Sequence, residues 1–271
     1  MKEVFGFDAF SPKEIAERIE NIGVVKARLP LLSMVMLGIL AGAFIGLGAM
    51  YYTLITSDSN LGFAWSRLLG GVVFSLGLIL VVVAGAELFT GNNLLVMAWA
   101  DNKISLKEVL KNWLVVALSN FVGAFGLAII VYLSKHAEMH GGDVGAHYVK
   151  IAASKCNLSF QQAFFSGMLC NTLVCLAVWM ASAGRSVMDK VIAIIFPISA
   201  FVAAGFEHSI ANMYLIPMGI LLKSSYPTIP GADLISWTGF SQNLVPVILG
   251  NLVGGSLFVA LIYYVIYRRN K

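Results

Sequence analysis

Six stretches of the chain stay apolar for about 20 residues or more, the length a helix needs to cross a bilayer core. They begin near Leu31, Leu68, Asn112, Phe160, Val191 and Asn243. The pattern therefore predicts an all-α polytopic protein with six membrane-spanning helices. The first span, 31–55, is uninterrupted, whereas the second, 68–99, and the fifth, 191–222, are too long for one crossing and carry polar residues at mid-depth. Ahead of the first span, residues 11–23 read SPKEIAERIENIG, with Ser11 placed as an N-cap, Pro12 at the first helical position and Ile15, Ile19 and Ile22 at helical spacing. This predicts an amphipathic surface helix under the first span. The organisation expected is an N-terminal segment 1–29, a six-helix membrane domain 30–267 and a tail 268–271.

Composition agrees with the pattern and orients it. With 59% hydrophobic residues, 12% charged residues and a mean hydropathy of +0.84, the chain lacks the charge that a water-facing globule needs. Segments 1–28, 101–111, 184–190 and 268–271 hold 13 of the 18 Lys and Arg, and Arg67, Lys135, Lys150, Lys155 and Lys223 hold the remaining five. Because basic loops stay in the cytoplasm, both termini are expected there, in a cell's inner (cytoplasmic) membrane. The net charge of +4 thus reflects topology and gives no support to nucleic acid binding. Residues 1–28 lack the apolar core of a secretory signal, so insertion is expected to use the first span. Cys156, Cys170 and Cys175 have no metal-ligand spacing, and no catalytic or cofactor motif is present. No metal, cofactor or enzymatic activity is expected.

The two halves match in order. Gly85-Ala86-Glu87-Leu88-Phe89-Thr90-Gly91-Asn92 and Gly205-Phe206-Glu207-His208-Ser209-Ile210-Ala211-Asn212 share G-x-E-x4-N, 120 residues apart. Asn112 with Asn120 and Asn243 with Asn251 share a second pattern, 131 apart, and Gly38 and Gly167 link the first and fourth spans. This reads as a duplication of three spans, 30–133 and 160–267. Three is odd, so the second copy enters the membrane inverted. Such repeats build transporters around broken helices at the midplane, and non-helical backbone at that depth has to face protein or a water-filled cavity.

Within the breaks, His208 is the sole histidine expected inside the membrane, and its repeat counterpart is Leu88. An ionisable side chain at that depth is a functional candidate, set against a neutral histidine that only caps a helix end. Glu87 and Glu207 recur in both halves and read as scaffold, each accepting hydrogen bonds from free backbone N–H groups. Asn92, Asn212, Asn120, Asn251, Asn112 and Asn243 read as structural amides. Asn171 and Thr90 are candidates for either a structural or a pathway role, and Thr90, with no polar counterpart in the other half, is a candidate to sit opposite His208. Phe74, Leu78, Phe89 and Phe201 become hydrophobic constrictions if the broken spans line a pore.

These runs, with Cys170-Asn171-Thr172-Leu173-Val174-Cys175 in the fourth span and Asn251-Leu252-Val253-Gly254-Gly255 in the sixth, resemble the formate/nitrite transporter family, most of all its formate channels. The resemblance implies an aquaporin-like homopentamer with a pore in each protomer that passes formate, and alternatively nitrite or hydrosulfide, with protons. It assigns Phe74, Leu78 and Phe201 to an outer constriction, Leu88, Phe89 and Thr90 to an inner one, His208 to the centre and Lys155 to the outer vestibule. A water or glycerol facilitator would carry Asn-Pro-Ala in each half, which this chain lacks.

Overall fold

The computed structural model describes residues 9–269. Lys2 and Lys271, counted in the charge bias, and the outermost parts of segments 1–29 and 268–271 lie outside the described residues. Helix α1 (Pro12–Ala27) is followed by α2 (Leu31–Thr56) and α3 (Phe63–Ile79), which continues as a π-helical turn over Leu80–Gly85. A non-helical stretch, a 3-10 turn (Gly91–Leu95) and a short α4 (Val96–Ala100) complete the second broken element. Then come α5 (Leu106–Leu133), α6 (Asp143–Cys156), α7 (Phe160–Ala181) and α8 (Val187–Ala204), and after a second break α9 (Ser209–Leu222). Helix α10 (Trp237–Leu252) passes through a π-helical segment (Val253–Leu261) into α11 (Ile262–Tyr267).

Six of these elements are long and apolar enough to cross a membrane, and the chain is a multi-pass membrane protein: Leu31–Thr56, Phe63–Gly85, Leu106–Leu133, Phe160–Ala181, Val187–Ala204 and Trp237–Tyr267. Four of them begin four to six residues earlier than the apolar pattern alone predicts. For three of these the cause is capping. Ser105, Ser186 and Ser236 accept the N–H of Glu108, Asp189 and Gly239, so each helix starts in polar sequence before its apolar stretch. Ser11 behaves likewise and closes a reciprocal capping box with Glu14.

The spans approach one another through glycine. A Cβ at Gly123 would collide with the Ile39 carbonyl and one at Gly42 with the Asn120 carbonyl, so α2 and α5 touch backbone to backbone. Gly250 and Gly254 do the same for α10 and its continuation against the Phe164 and Met168 carbonyls of α7. Small residues are needed because lipid offers apolar side chains no incentive to leave it, and close packing has to supply the attraction.

Helix α1 is packed, with one change from expectation. Ile15 and Ile19 bury against Met97, Trp179 and Val259, but Ile22 is 40% exposed and borders a cavity. Gly23, next in the chain, is the residue that meets Leu95 and Ala98. Glu20 is fully buried and pairs with Lys103 (2.6 Å) and Arg268 (2.6 Å), tying α1 to the loop before α5 and to the end of α11.

Candidate functional site

Both broken spans end at left-handed glycines. Gly85 has φ +86° and Gly205 φ +76°, a region closed to most side chains, so the helix turns aside at these points. Each following glutamate, Glu87 and Glu207, is buried.

The glutamates are held differently from the backbone-bound scaffold role expected of them. Glu87 Oε1 lies 2.8 Å from Lys26 Nζ, and its Oε2 accepts from Asn92 Nδ2 at 2.7 Å. Asn92 also donates to Asn112 Oδ1 (2.9 Å), and Asn112 Nδ2 donates to the Lys26 carbonyl (3.2 Å). Glu207 Oε1 accepts from Lys155 Nζ at 2.7 Å and Oε2 from Asn212 Nδ2 at 2.6 Å. Asn212 donates to Asn243 Oδ1 (2.7 Å), and Asn243 Nδ2 donates to the Lys155 carbonyl (2.9 Å). A carboxylate buried in protein needs a cation and full hydrogen bonding, and side chains supply both here. The four groups correspond one to one across the halves.

Asn120 and Asn251 brace the breaks in the same matched way. Asn120 Nδ2 donates to the carbonyls of Gly38 and Glu87 while its Oδ1 accepts the Phe89 N–H. Asn251 Nδ2 donates to the carbonyls of Gly167 and Glu207 while its Oδ1 accepts the Ser209 N–H. These are the backbone groups that a broken helix frees.

Between the breaks the halves diverge. His208 is the N-cap of α9: its Nδ1 accepts the Ala211 N–H at 3.2 Å, and its Nε2 lies 3.0 Å from Thr90 Oγ1. Assigned from these partners, the neutral ring carries its hydrogen on Nε2 and donates it to Thr90. Thr90 is fixed in turn, since its carbonyl accepts from Asn171 Nδ2 (3.2 Å) and Cys175 Sγ (3.4 Å). Asn171 Nδ2 also faces Asn93 Oδ1 and the Asn251 carbonyl, so two hydrogens serve three acceptors, and the Asn171 Oδ1 has no partner among the described residues.

Two cavities approach this point from opposite ends. The one beside α6, of 390 Å³, is lined by Arg67, Phe74, Lys155, Phe201, Glu207 and His208 among others. Phe74 and Phe201 meet edge to face (5.7 Å, 83°), and Phe201 lies nearly parallel to the His208 ring at 5.9 Å. The cavity beside α1, of 820 Å³, reaches Lys26, Leu78, Glu87 and Leu88. Leu78 thus borders the α1-side cavity with Leu88, not the chamber of Phe74 and Phe201 with which resemblance grouped it, because it lies one turn further along α3. Leu78, Leu88, Phe89 and Thr90 are all buried, and of these Leu78 and Leu88 line the α1-side cavity. Among the described residues no cluster of potential metal ligands occurs.

Sequence reading missed Lys26, although the signal was present: Lys26 and Lys155 are 129 residues apart, the same offset as Gly38 and Gly167. It also missed Arg67, His147 and Lys150, which line the α6-side cavity. These lie in segments with no counterpart motif, so only folding brings them together.

The comparisons agree with this architecture. Residues 13–265 match the family model described as formate/nitrite transporter. The chain is 41% identical over its whole length to the formate channel FocA of Escherichia coli K12, covering 99% of it. It is 39% identical to the formate channel BtFdhC of Bacillus thuringiensis, covering 95% of this chain and 96% of that one. A solved pentameric formate channel with formate bound superposes with a TM-score of 0.81 at 42% identity, covering 88% of this chain and 97% of the other. A solved FNT family ion channel gives a TM-score of 0.83 at 28% identity, covering 93% and 98%. With matched motifs, six spans and two broken helices meeting at one histidine, the chain belongs to the formate/nitrite transporter family.

Proposed function

We propose that this protein is a homopentameric membrane channel for small monovalent anions, formate above all, with a separate path through each protomer. The carrying observation is that His208 lines the α6-side cavity with its Nε2 against Thr90, while Leu88, two residues before Thr90, lines the α1-side cavity. The relatives described as formate channels support formate as the cargo, and the pentameric neighbour supports the assembly. The 13-to-5 bias in basic residues supports cytoplasmic termini in an inner membrane, which puts α1 at the inner mouth and α6 at the outer one. The four contacts that the two lysine-glutamate groups share support an inverted duplication.

An anion entering the Phe74–Phe201 gap loses hydration, and an unpaired charge in such surroundings is strongly disfavoured. The chain offers it a hydrogen-bond donor at the far side of the gap, the Thr90 hydroxyl whose oxygen accepts from the imidazole, and the positive end of α9. Because Nδ1 is engaged by the Ala211 N–H, the neutral ring acts through hydrogen-bond donation. Donating a proton outright would require Nδ1 to gain one and the cap to open.

The test is flux in liposomes bearing purified pentamers, with formate, nitrite, hydrosulfide and glycerol offered in turn. Formate flux should exceed that of glycerol. His208→Phe should lower formate flux by about tenfold, equivalent to about 1.4 kcal/mol of barrier, with pentamers intact. Thr90→Val should do the same and Thr90→Ser should not. Glycerol passing as fast as formate, or His208→Phe flux equal to the parent at every pH, overturns the reading.

A further inference from the structure

The outer chamber holds three cations, and they are not equivalent. Lys155 Nζ is 2.7 Å from Glu207 Oε1, with its side chain 14% exposed, so its charge is neutralised on the spot and serves to hold the α8–α9 break. Arg67 and Lys150 line the same chamber, and among the described residues neither has a carboxylate within salt-bridge reach. The Arg67 guanidinium stands over the break itself: a Cβ built on Gly205 would lie 3.7 Å from one of its nitrogens. Its other neighbour is the Phe63 ring, at 5.5 Å, which attracts the cation without cancelling its charge.

His147 completes the wall as a neutral ring. Thr56 Oγ1 donates its hydrogen to the Tyr52 carbonyl (2.8 Å), so at its 2.9 Å contact with His147 Nε2 it can only accept. Burial first, and then the charge of Lys150, push the His147 pKa down to about 4, so the ring is neutral near pH 7. The chamber therefore carries Arg67, Lys150 and Lys155 against Glu207, a surplus of positive charge on walls that are otherwise largely apolar.

We propose that a small monovalent carboxylate anion docks in this chamber between Arg67 and Lys150, outside the Phe74–Phe201 gap, and that Lys155 is a positioning residue for Glu207. The docking site deepens the channel reading and rests on it. Charges in a narrow chamber with low-dielectric walls concentrate their counter-ion, and this effect fades as salt shortens the Debye length from about 30 Å at 0.01 M to about 10 Å at 0.1 M. A charge already neutralised 2.7 Å away has little left to offer an arriving anion.

The experiment measures initial formate uptake against external formate, at low and at high ionic strength, in liposomes bearing pentamers. At low salt the double variant Arg67→Gln, Lys150→Gln should raise the half-saturating formate about tenfold, at the lower end of electrostatic steering effects, with the maximal rate within about twofold of the parent. At high salt double variant and parent should converge. Lys155→Gln should instead lower the maximal rate with no change in salt dependence. Should the double variant fail to assemble, Lys150→Cys treated with a positively charged thiol reagent should keep parental half-saturation, and a negatively charged reagent should raise it, with the parent treated alongside. Parental half-saturation in the double variant at low salt, or a salt-dependent loss in Lys155→Gln alone, overturns the docking site while leaving the channel intact. A parent without formate flux overturns both.

Discussion

Lys26, in the helix before the first span, places its ammonium 2.8 Å from Glu87 Oε1 in the break of the second span. This is the counterpart of the 2.7 Å contact between Lys155 and Glu207 in the other half. Helix α1 therefore stands to the first break as α6 stands to the second. What looked like a surface helix explained by amphipathic packing is a structural part of the cavity that Lys26, Glu87 and Leu88 line.

That pairing makes a prediction about stability. Lys26→Met leaves the buried Glu87 carboxylate without its cation, and because the lysine is part-exposed the cost should be about 2 kcal/mol, below the roughly 3–5 typical of fully buried pairs. Adding Glu87→Gln removes the unpaired charge and should restore most of the loss. Thermal unfolding of the two single variants and the double in detergent forms the cycle. Additive losses would show that the pair is uncoupled.

The two nitrogens of His208 separate into two jobs. His208→Asn keeps a side-chain acceptor suited to an N-cap, so its stability should fall within about 0.5 kcal/mol of the parent, whereas His208→Leu should lose about 1 kcal/mol more. Both lack the Nε2–H and should be equally poor in formate flux. A fast His208→Asn channel would mean that the cap alone is what matters.

Gly123 faces a backbone carbonyl, and no flexible side chain there can yield. Gly123→Ala should push α2 and α5 apart at a cost of about 3 kcal/mol, at the upper end for overpacked sites. Gly126, where an added methyl group would meet nothing within 4 Å, should accept alanine with little change. Yield of assembled protein on size exclusion compares the two.

Acid should loosen the α6-side end through His147. Its folded pKa of about 4 lies below the ordinary 6.5, so between those values the unfolded chain binds a proton that the folded chain does not. Stability is full above about pH 6.5 and falls as pH drops toward 4, by at most about 3 kcal/mol from this residue. His147→Gln should flatten that part of the melting-temperature profile. A profile unchanged by the substitution would place the acid sensitivity elsewhere.

The spans, their number and the positions of both breaks could be read from the order of residues, because span length and mid-depth polarity are properties of consecutive residues and lipid leaves few solutions for an unpaired backbone group. The two sets of matched motifs also marked which side chains would be structural, and Asn92 and Asn212 from the first and Asn120 and Asn251 from the second all serve the breaks. The starts of α5, α8 and α10 fall ahead of the apolar pattern, since a capping serine outweighs local polarity.

What tertiary structure alone decided is where charge meets charge. Lys26 with Glu87, Glu20 with Lys103 and Arg268, and the gathering of Arg67, His147 and Lys150 around one chamber join residues up to 248 positions apart. The order of residues tells which groups are costly to bury, but the partner that offsets the cost is chosen by how helices pack in three dimensions.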